Sequence, residues 1–245
     1  MKIIGLIPAR MASSRFPGKP LVEIEGLPMI VHVLKRAALC RDLDSIFVAT
    51  DSKEISRVVK SYGGAVIMTS AKHRTGTDRI AEAIRGIKYD VAINIQGDEI
   101  LLRPGDISRL IQTMRKDRSA KFATLVCKAR HSGDITDCKV VLDRDDNILY
   151  MSREDIPSDA RVKVETLLKL YCIIAFRKGY LEKFASWKQT PLEKIEYIEY
   201  LRILENGYKM KGVVIDDRSI SVDRPEDLPV VKKLMKNDTV KLRYL

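Results

Sequence analysis

The chain has 245 residues, of which 45% are hydrophobic and 31% charged, as in an ordinary folded soluble domain. No apolar run reaches the roughly 18 residues that a membrane span requires, and the apolar N-terminus is too short for a signal peptide. We therefore expect a cytoplasmic protein without a membrane partner. The formal net charge of +11 is spread among interleaved acidic residues without a basic repeat, so we expect no nucleic-acid partner. Four widely spaced cysteines without a C-x-x-C pair argue against a zinc site.

The first half of the chain alternates between predicted strands and predicted helices. The predicted strands are Lys2–Ile7, Ser45–Ala49, Ala65–Met68, Val91–Ile95 and Phe122–Val126. The predicted helices are Met29–Ala38, Glu54–Tyr62, Gly76–Gly86 and Pro104–Lys116. This alternation, with nearly continuous apolar strands, indicates a doubly wound α/β fold whose mostly parallel sheet is covered on both faces.

After Val126 the pattern becomes richer in strands. A polar turn between Lys139–Leu142 and Ile148–Met151 predicts a β-hairpin. The elements predicted after it are strand Leu167–Arg177, helices Tyr180–Ser186 and Leu192–Glu205, strand Lys211–Ile215 and helix Pro225–Lys236. We expect a single domain over residues 1–245, with a small β-rich lid or dimerisation region at 134–177 inside it.

The segment Ile7–Leu21, IPARMASSRFPGKPL, follows the first predicted strand directly. Its small residues let backbone amides approach a ligand, and Arg10, Arg15 and Lys19 add three positive charges. A triphosphate needs both features, and ligands of open α/β sheets bind at the carboxyl ends of such strands. The segment matches neither the P-loop nor the dinucleotide-binding pattern. The alternative interpretation is a solvated basic loop.

Carboxylates follow two further apolar segments. Asp98 ends INIQGD in Ile93–Glu99, and Asp223 follows an apolar pair in Ile220–Leu228. Mg²⁺ usually takes one or two protein carboxylates and completes its shell with phosphate and water. We predict that the two residues converge on one Mg²⁺. Either one alone could instead be a helix cap.

The segment His73–Ile84, HRTGTDRIAEAI, predicts a loop entering a helix. Thr75, Thr77 or Asp78 could cap that helix. The functional interpretation places this loop against the nucleotide, with Arg79 on the first turn.

These motifs together carry a family resemblance. IPARMASSRFPGKPL, VATDS, SAKHRTGTDR, INIQGDE, SREDIP, WKQTPLEKIE and VDRPEDL occur in the order typical of one family. From Met1 to about Leu234 the chain resembles the 3-deoxy-manno-octulosonate cytidylyltransferases. The resemblance implies a nucleotide-diphospho-sugar transferase-like fold, CTP as nucleotide donor, Mg²⁺, pyrophosphate release and a homodimer. It also implies a place in lipopolysaccharide biosynthesis.

The resemblance assigns roles to individual positions. The catalytic residues would be Lys19, Arg10 and Asp98. The nucleotide would be bound by Ala9, Arg10, Ser14, Arg15, Lys19, Thr77, Arg79 and Gln96. The small anionic acceptor would be bound by Arg153, Leu170, Glu199 and Tyr200. The metal ligands would be Asp98 and Asp223.

The departures from the family pattern lie on the acceptor side. Leu170, Ile174 and Tyr200 stand where the family has His, Tyr and Gln, and Ile100 replaces a proline. A polar site rejects a wrong ligand because that ligand leaves polar groups of the site without hydrogen bonds. Replacing these groups by apolar ones removes this discrimination between acceptors. Nucleotidyl transfer is therefore expected, while the acceptor stays open.

Three functions remain after this reading. The first is CMP transfer to 3-deoxy-manno-octulosonate or a close sugar acid. The second is CMP transfer to a different acid, such as a phosphonate in phosphonate natural-product biosynthesis. The third is nucleotide binding without catalysis.

Overall fold

The computed structural model describes residues 1–13, 15–129, 133–215 and 220–245. Its strands are β1 (Ile3–Ala9), β2 (Glu23–Ile24), β3 (Leu27–Pro28), β4 (Ser45–Thr50), β5 (Ala65–Met68), β6 (Val91–Ile95), β7 (Phe122–Ala129), β8 (Lys139–Leu142), β9 (Ile148–Ser152), β10 (Leu167–Arg177) and β11 (Met210–Ile215). Its α-helices are α1 (Met29–Ala38), α2 (Lys53–Ser61), α3 (Gly76–Ala83), α4 (Pro104–Lys116), α5 (Tyr180–Ser186), α6 (Pro191–Glu196), α7 (Leu201–Glu205) and α8 (Leu228–Lys236). Short 3₁₀ turns occupy Lys19–Leu21, Pro225–Asp227 and Lys241–Arg243.

The described strands, apart from the small β2–β3 ribbon, form one mixed sheet in the order β11-β7-β10-β6-β1-β4-β5. Within this path β10 runs antiparallel to both of its neighbours, and the other pairings are parallel. The chain leaves β1 toward β4 and β5, and then returns to the other side of β1 with β6. The predicted doubly wound, mostly parallel α/β fold is confirmed. Its topological switch point lies between β1 and β6, where ligands of such sheets bind.

The central strands are buried on both faces, which is why the sequence pattern predicted them well. Every residue of β6 is buried, and β1 is buried except for the partly exposed Pro8. Strands covered on both faces need such continuous apolar runs. The helices beside them start at side-chain caps, since Ser52 accepts from Ile55 N at 3.2 Å and Thr75 accepts from Asp78 N at 3.1 Å. The carboxyl ends of the strands and the N-termini of the helices therefore lie at the same edge of the sheet.

Three predicted helices differ from the structure by more than one residue at an end or in their continuity. The helix predicted over Leu192–Glu205 is two helices, α6 and α7, because Tyr197 adopts a left-handed conformation with φ 56°. This break turns Glu199 and Tyr200 inward, as described below. The helix predicted over Gly76–Gly86 ends at Ala83, ahead of Gly86 with φ 78°. The helix predicted over Pro225–Lys236 begins as a 3₁₀ turn, and α8 starts at Leu228.

The hairpin β8–β9 joins the sheet through β10. The buried ammonium of Lys139 donates to the carbonyls of Asp134 at 2.7 Å and Asp137 at 3.1 Å, and also to that of Arg153. These bonds fix the hairpin to the loop that precedes it. The lid or dimerisation role of residues 134–177, like the single-domain assignment, stays a prediction. Across the described ranges, no helix combines the length and hydrophobicity that crossing a membrane would require.

Candidate active site

Three loops pack closely at the carboxyl edge of β1 and β6. A Cβ on Gly97 would lie 3.0 Å from the carbonyl oxygen of Pro8, and a Cβ on Gly76 would lie 3.0 Å from Pro8 Cγ. Most real Cβ contacts are longer, so a side chain at either glycine would require Pro8 to shift by a few tenths of an ångström. The loop after β1, the start of α3 and the loop after β6 are thereby held against one another. They form the floor of the site.

The two predicted metal ligands meet at this floor around one ammonium group. Lys19 Nζ lies 2.7 Å from Asp98 Oδ2 and 3.7 Å from Asp223 Oδ1. Lys19 also donates to the carbonyl of Val222 at 2.8 Å. Arg15 Nη2 lies 3.0 Å from Asp223 Oδ1. The structure therefore brings together Lys19, Arg15 and the two carboxylates from three distant segments of the chain.

This donor set fits a magnesium ion that binds together with a nucleotide. The side chains of Asp98 and Asp223 are 23% and 32% exposed, so both carboxylates can be reached by a ligand. Among the described residues, no group of three or more His, Cys, Asp or Glu side chains could hold a metal by itself. Two carboxylates suffice for Mg²⁺ when phosphate oxygens complete its shell.

The remaining predicted nucleotide ligands surround the same edge. Ala9 ends β1 and is buried, whereas Arg10 is exposed and donates to the carbonyl of Arg74 at 3.5 Å. Gln96 directly follows β6 and is partly buried. Ser14 lies outside the described residues. Arg10 and Arg15 are therefore the exposed cations of the loop that follows β1.

Arg79 is buried beside the site and connects the segments that surround it. Its side chain is 3% exposed and donates to Thr69 Oγ1 at 2.7 Å, and it lies 3.2 Å from Asp51 Oδ1. These contacts link α3 to the residues that follow β4 and β5. A buried guanidinium needs such partners, because an unpaired buried charge is costly. The contact of Arg79 with a nucleotide stays a prediction.

The predicted acceptor residues Glu199 and Tyr200 join a buried polar cluster. Thr77 donates to Glu199 Oε1, and Asn94 Nδ2 lies 3.2 Å from the Tyr200 hydroxyl. Asn94 Nδ2 also lies 3.4 Å from Thr77 Oγ1. Burial raises the pKa of the Glu199 carboxyl. Sequence reasoning missed Asn94, although a lone amide inside the apolar strand β6 is a signal that could have revealed it.

Strand β6 connects this cluster with the paired carboxylates. Asn94 lies within β6, and Asp98 is in the loop that directly follows the strand. The buried cluster and the carboxylate pair are therefore both carried by the same end of the sheet.

The other two predicted acceptor residues are placed differently. Leu170 is 8% exposed and packs in the core beneath the β8–β9 hairpin. The guanidinium of Arg153 donates to the carbonyls of Thr136 at 2.6 Å, Tyr197 at 3.2 Å and Glu196 at 3.3 Å. These described contacts tie the hairpin to α6. Acceptor binding by Leu170 and Arg153 remains a prediction.

Comparisons with known proteins agree with this geometry. Residues 4–213 match the family model described as cytidylyltransferase. A 3-deoxy-manno-octulosonate cytidylyltransferase of Geobacter metallireducens is 41% identical over 249 residues, which cover 96% of this chain and 98% of that protein. An 8-amino-3,8-dideoxy-manno-octulosonate cytidylyltransferase of Shewanella sp. (strain W3-18-1) is 43% identical over 235 residues, which cover 93% of this chain and 96% of that protein.

Solved structures extend the comparison to the fold. The structure of CMP:2-keto-3-deoxy-manno-octonic acid synthetase complexed with CTP has a TM-score of 0.91 and 35% identity, and the match covers 96% of this chain and 99% of that one. A 4-diphosphocytidyl-2C-methyl-D-erythritol synthase from Anaerococcus prevotii, at 16% identity and a TM-score of 0.63, shares the fold alone. The resemblance seen in the motifs is confirmed. The chain belongs to the cytidylyltransferase family and is a nucleotidyltransferase.

Proposed function

We propose that this enzyme transfers CMP from CTP to a 3-deoxy-manno-octulosonate-type sugar acid in the presence of Mg²⁺ and releases pyrophosphate. The observation that carries the proposal is the position of Lys19 between Asp98 and Asp223 beside the loop that follows β1. Relatives that match nearly the full chain are named for 3-deoxy-manno-octulosonate or for its 8-amino-3,8-dideoxy counterpart. These relatives give no support to a phosphonate acceptor.

Three cations of the loop after β1 are assigned to the triphosphate. Arg10 and Arg15 are exposed there, and Lys19 lies deeper beside Asp98. Guanidinium groups bind phosphate oxygens with paired donors, and an ammonium acts as a compact charge. Fixed positive charge of this kind stabilises the charge that develops on the leaving pyrophosphate.

The proposed reaction forms a bond between an acceptor hydroxyl oxygen and the α-phosphorus of CTP, breaks the bond from that phosphorus to the oxygen bridging to the β-phosphate, and releases pyrophosphate and the hydroxyl proton. Asp98 and Asp223 would hold Mg²⁺, which supplies positive charge for the reacting phosphate and for an acceptor oxygen. Lys19 stays anchored by the carbonyl of Val222 and orients a phosphate beside these carboxylates. Positioning and charge neutralisation then account for most of the rate enhancement.

We also propose that the enzyme is a cytoplasmic homodimer. Within the described ranges β8 is the strand partner of β9, and only an isolated bridge joins Asn147, directly before β9, to Lys211 of β11. Leu149 on β9 is 62% exposed, and Tyr197 between the neighbouring helices is 87% exposed. Exposed apolar side chains next to an unpaired strand edge suit a subunit contact. Light scattering on the purified enzyme tests this, and a monomeric mass would contradict it.

The activity is tested by measuring pyrophosphate release with CTP, Mg²⁺ and 3-deoxy-manno-octulosonate or its 8-amino-3,8-dideoxy counterpart. Asp98→Asn should lower turnover roughly a thousandfold, because several kcal/mol of charge stabilisation are lost. Asp145→Asn, at an exposed hairpin carboxylate, is the matched control and should retain activity. Full activity of the Asp98→Asn enzyme would refute the metal assignment, and no release with either acid would refute the acceptor class.

A further inference from the structure

The loop between β5 and α3, residues 69–75, is held by the carboxylate of Glu82 on α3. The backbone N–H of Ser70 donates to Glu82 Oε2 at 3.1 Å and to Oε1 at 3.3 Å. The ring of His73 also bonds to Glu82 Oε2, and Nε2 of His73 is the donor because an ionised carboxylate only accepts. Glu82 therefore binds this loop, here called the 69–75 loop, at two points.

The spacing along α3 directs a second charged side chain to the same loop. Arg79 lies three positions before Glu82, so the two side chains share a face of the helix. Arg79 donates to Thr69 Oγ1 at 2.7 Å, where the loop begins. The backbone N–H groups of a surface loop can bond to water. Charge-assisted bonds to α3 are stronger and fix the conformation of the loop.

The far end of the 69–75 loop contacts the segment assigned to the triphosphate. Arg74 directly follows His73, and its carbonyl oxygen accepts from Arg10 Nη1 at 3.5 Å. Within the described ranges, this carbonyl is the hydrogen-bond acceptor that the exposed guanidinium of Arg10 meets. Gly76, at the start of α3, packs against Pro8, since a Cβ on it would lie 3.0 Å from Pro8 Cγ. A displaced loop would therefore displace the carbonyl that orients Arg10.

We propose that Glu82 is a positioning residue for CTP binding, because it holds the Arg74 carbonyl where that carbonyl orients Arg10 toward the triphosphate. This inference rests on the proposed function for the assignment of Arg10 to the triphosphate. An exposed arginine loses rotamer freedom when it binds a phosphate, and a side chain oriented in advance loses less. Glu82 acts on CTP through Arg10, and this dependence can be measured.

The test is a double-mutant cycle on the affinity for CTP. Titration calorimetry in the presence of Mg²⁺, without an acceptor, measures the Kd of CTP for the unmodified enzyme, Glu82→Ala, Arg10→Ala and the double variant. Glu82→Ala should raise the Kd about fivefold to tenfold while Arg10 is present, and less than about twofold in the Arg10→Ala background. An equal rise in both backgrounds would overturn the inference, because a general loss of structure does not depend on Arg10.

The outcomes for this inference and for the proposed function are distinguishable. An unchanged Kd in Glu82→Ala, with CTP still bound and turned over by the unmodified enzyme, would overturn the inference alone. Because no acceptor is present in the titration, a wrong acceptor assignment would leave its result unaffected. Absence of CTP binding by the unmodified enzyme would overturn both proposals.

Three further variants separate the contacts of Glu82 from an effect on folding. Glu82→Gln keeps an acceptor oxygen for Ser70 N and should weaken CTP binding less than Glu82→Ala does. Glu54→Ala, at an exposed carboxylate on α2, is the matched control and should leave the Kd unchanged. Should Glu82→Ala fail to fold, His73→Ala removes one of the two points of attachment and enters the same cycle with the same expected dependence on Arg10.

Discussion

The ammonium of Lys19 lies 2.7 Å from the carboxylate of Asp98, although 79 positions separate the two residues in sequence. Asp223 approaches the same ammonium from 204 positions away, at 3.7 Å. Lys19 thus lies between two carboxylates at the sheet edge, and Arg15 adds a second positive charge at Asp223. The positive charge between Asp98 and Asp223 reduces the repulsion between the two carboxylates.

Replacing Lys19 by Met should lower kcat more than it weakens the binding of CTP. Without the ammonium, a charge that stabilises the leaving pyrophosphate is lost, and kcat should fall about 10²–10³-fold. Arg10 and Arg15 remain, so KM for CTP should change much less. Steady-state kinetics of pyrophosphate release measures both constants. An unchanged kcat with a raised KM would show that Lys19 serves binding alone.

Replacing Gly97 by Ala should displace the loop that carries Asp98. The added Cβ would lie 3.0 Å from the carbonyl oxygen of Pro8, which is backbone and cannot rotate away. Overpacking of this kind costs about 1–3 kcal/mol of stability, and a small displacement of reacting groups lowers kcat as well. Thermal unfolding and turnover are the measurements.

The matched control for this change is Gly105→Ala on α4. A Cβ there would meet nothing within 4 Å. Removing a helical glycine should stabilise the protein by about 0.5–1 kcal/mol and leave turnover unchanged. If Gly97→Ala behaved like Gly105→Ala, the close packing of the three loops would not be required for function.

The sequence predicted those elements that leave a regular apolar pattern and the polar residues that directly follow them. Strand β6 and helix α1 were located correctly, because a strand covered on both faces and an amphipathic helix each leave a regular apolar pattern. The meeting of Asp98 with Asp223 was predicted because Asp98 follows an apolar strand and Asp223 follows an apolar pair, next to a loop rich in cations. Local patterns thus sufficed for the frame and for part of the site.

Side-chain pairs between distant segments were not predictable in this way. Arg79 pairs with Asp51, and no local pattern in the sequence indicated that partner, while its contact with a nucleotide stays a prediction. The break between α6 and α7 was missed because their composition suits a continuous helix. Tertiary contacts made by Glu199 and Tyr200 with Thr77 override that helical preference.

The C-terminal turn is fixed to α1 through Tyr244. The Tyr244 hydroxyl lies 2.8 Å from His32 Nδ1 and accepts from Arg36 Nε at 3.2 Å. Tyr244→Phe removes both bonds from the buried side chains of His32 and Arg36 and should cost about 1–3 kcal/mol of unfolding free energy. Tyr62→Phe, on a side chain with 41% exposure, is the control. Urea unfolding compares the two, and equal losses would show that the Tyr244 contacts contribute nothing.

His32 should make stability depend on pH near neutrality. Its Nε2 faces the carbonyl of Ile24 at 2.6 Å and must donate to it, so the neutral ring uses Nδ1 to accept from Tyr244. Burial lowers the pKa of His32 below 6.5, and the nearby charges of Arg36 and Lys241 lower it further. Protonation would put a proton on Nδ1 where the Tyr244 hydroxyl already donates.

The sign of the effect follows from proton uptake. Above pH 6.5 the ring is neutral in both states, whereas below it the unfolded chain takes up a proton that the native state refuses. Stability should therefore fall as pH drops from 6.5 toward the native pKa, by at most about 1.4 kcal/mol per pH unit. Chemical unfolding between pH 5 and 7.5 should show a flatter profile for His32→Gln. Val33→Ala, a buried non-titrating change on the same helix, should lower stability without flattening the profile. An identical slope in His32→Gln and the unmodified protein would show that other groups govern this range.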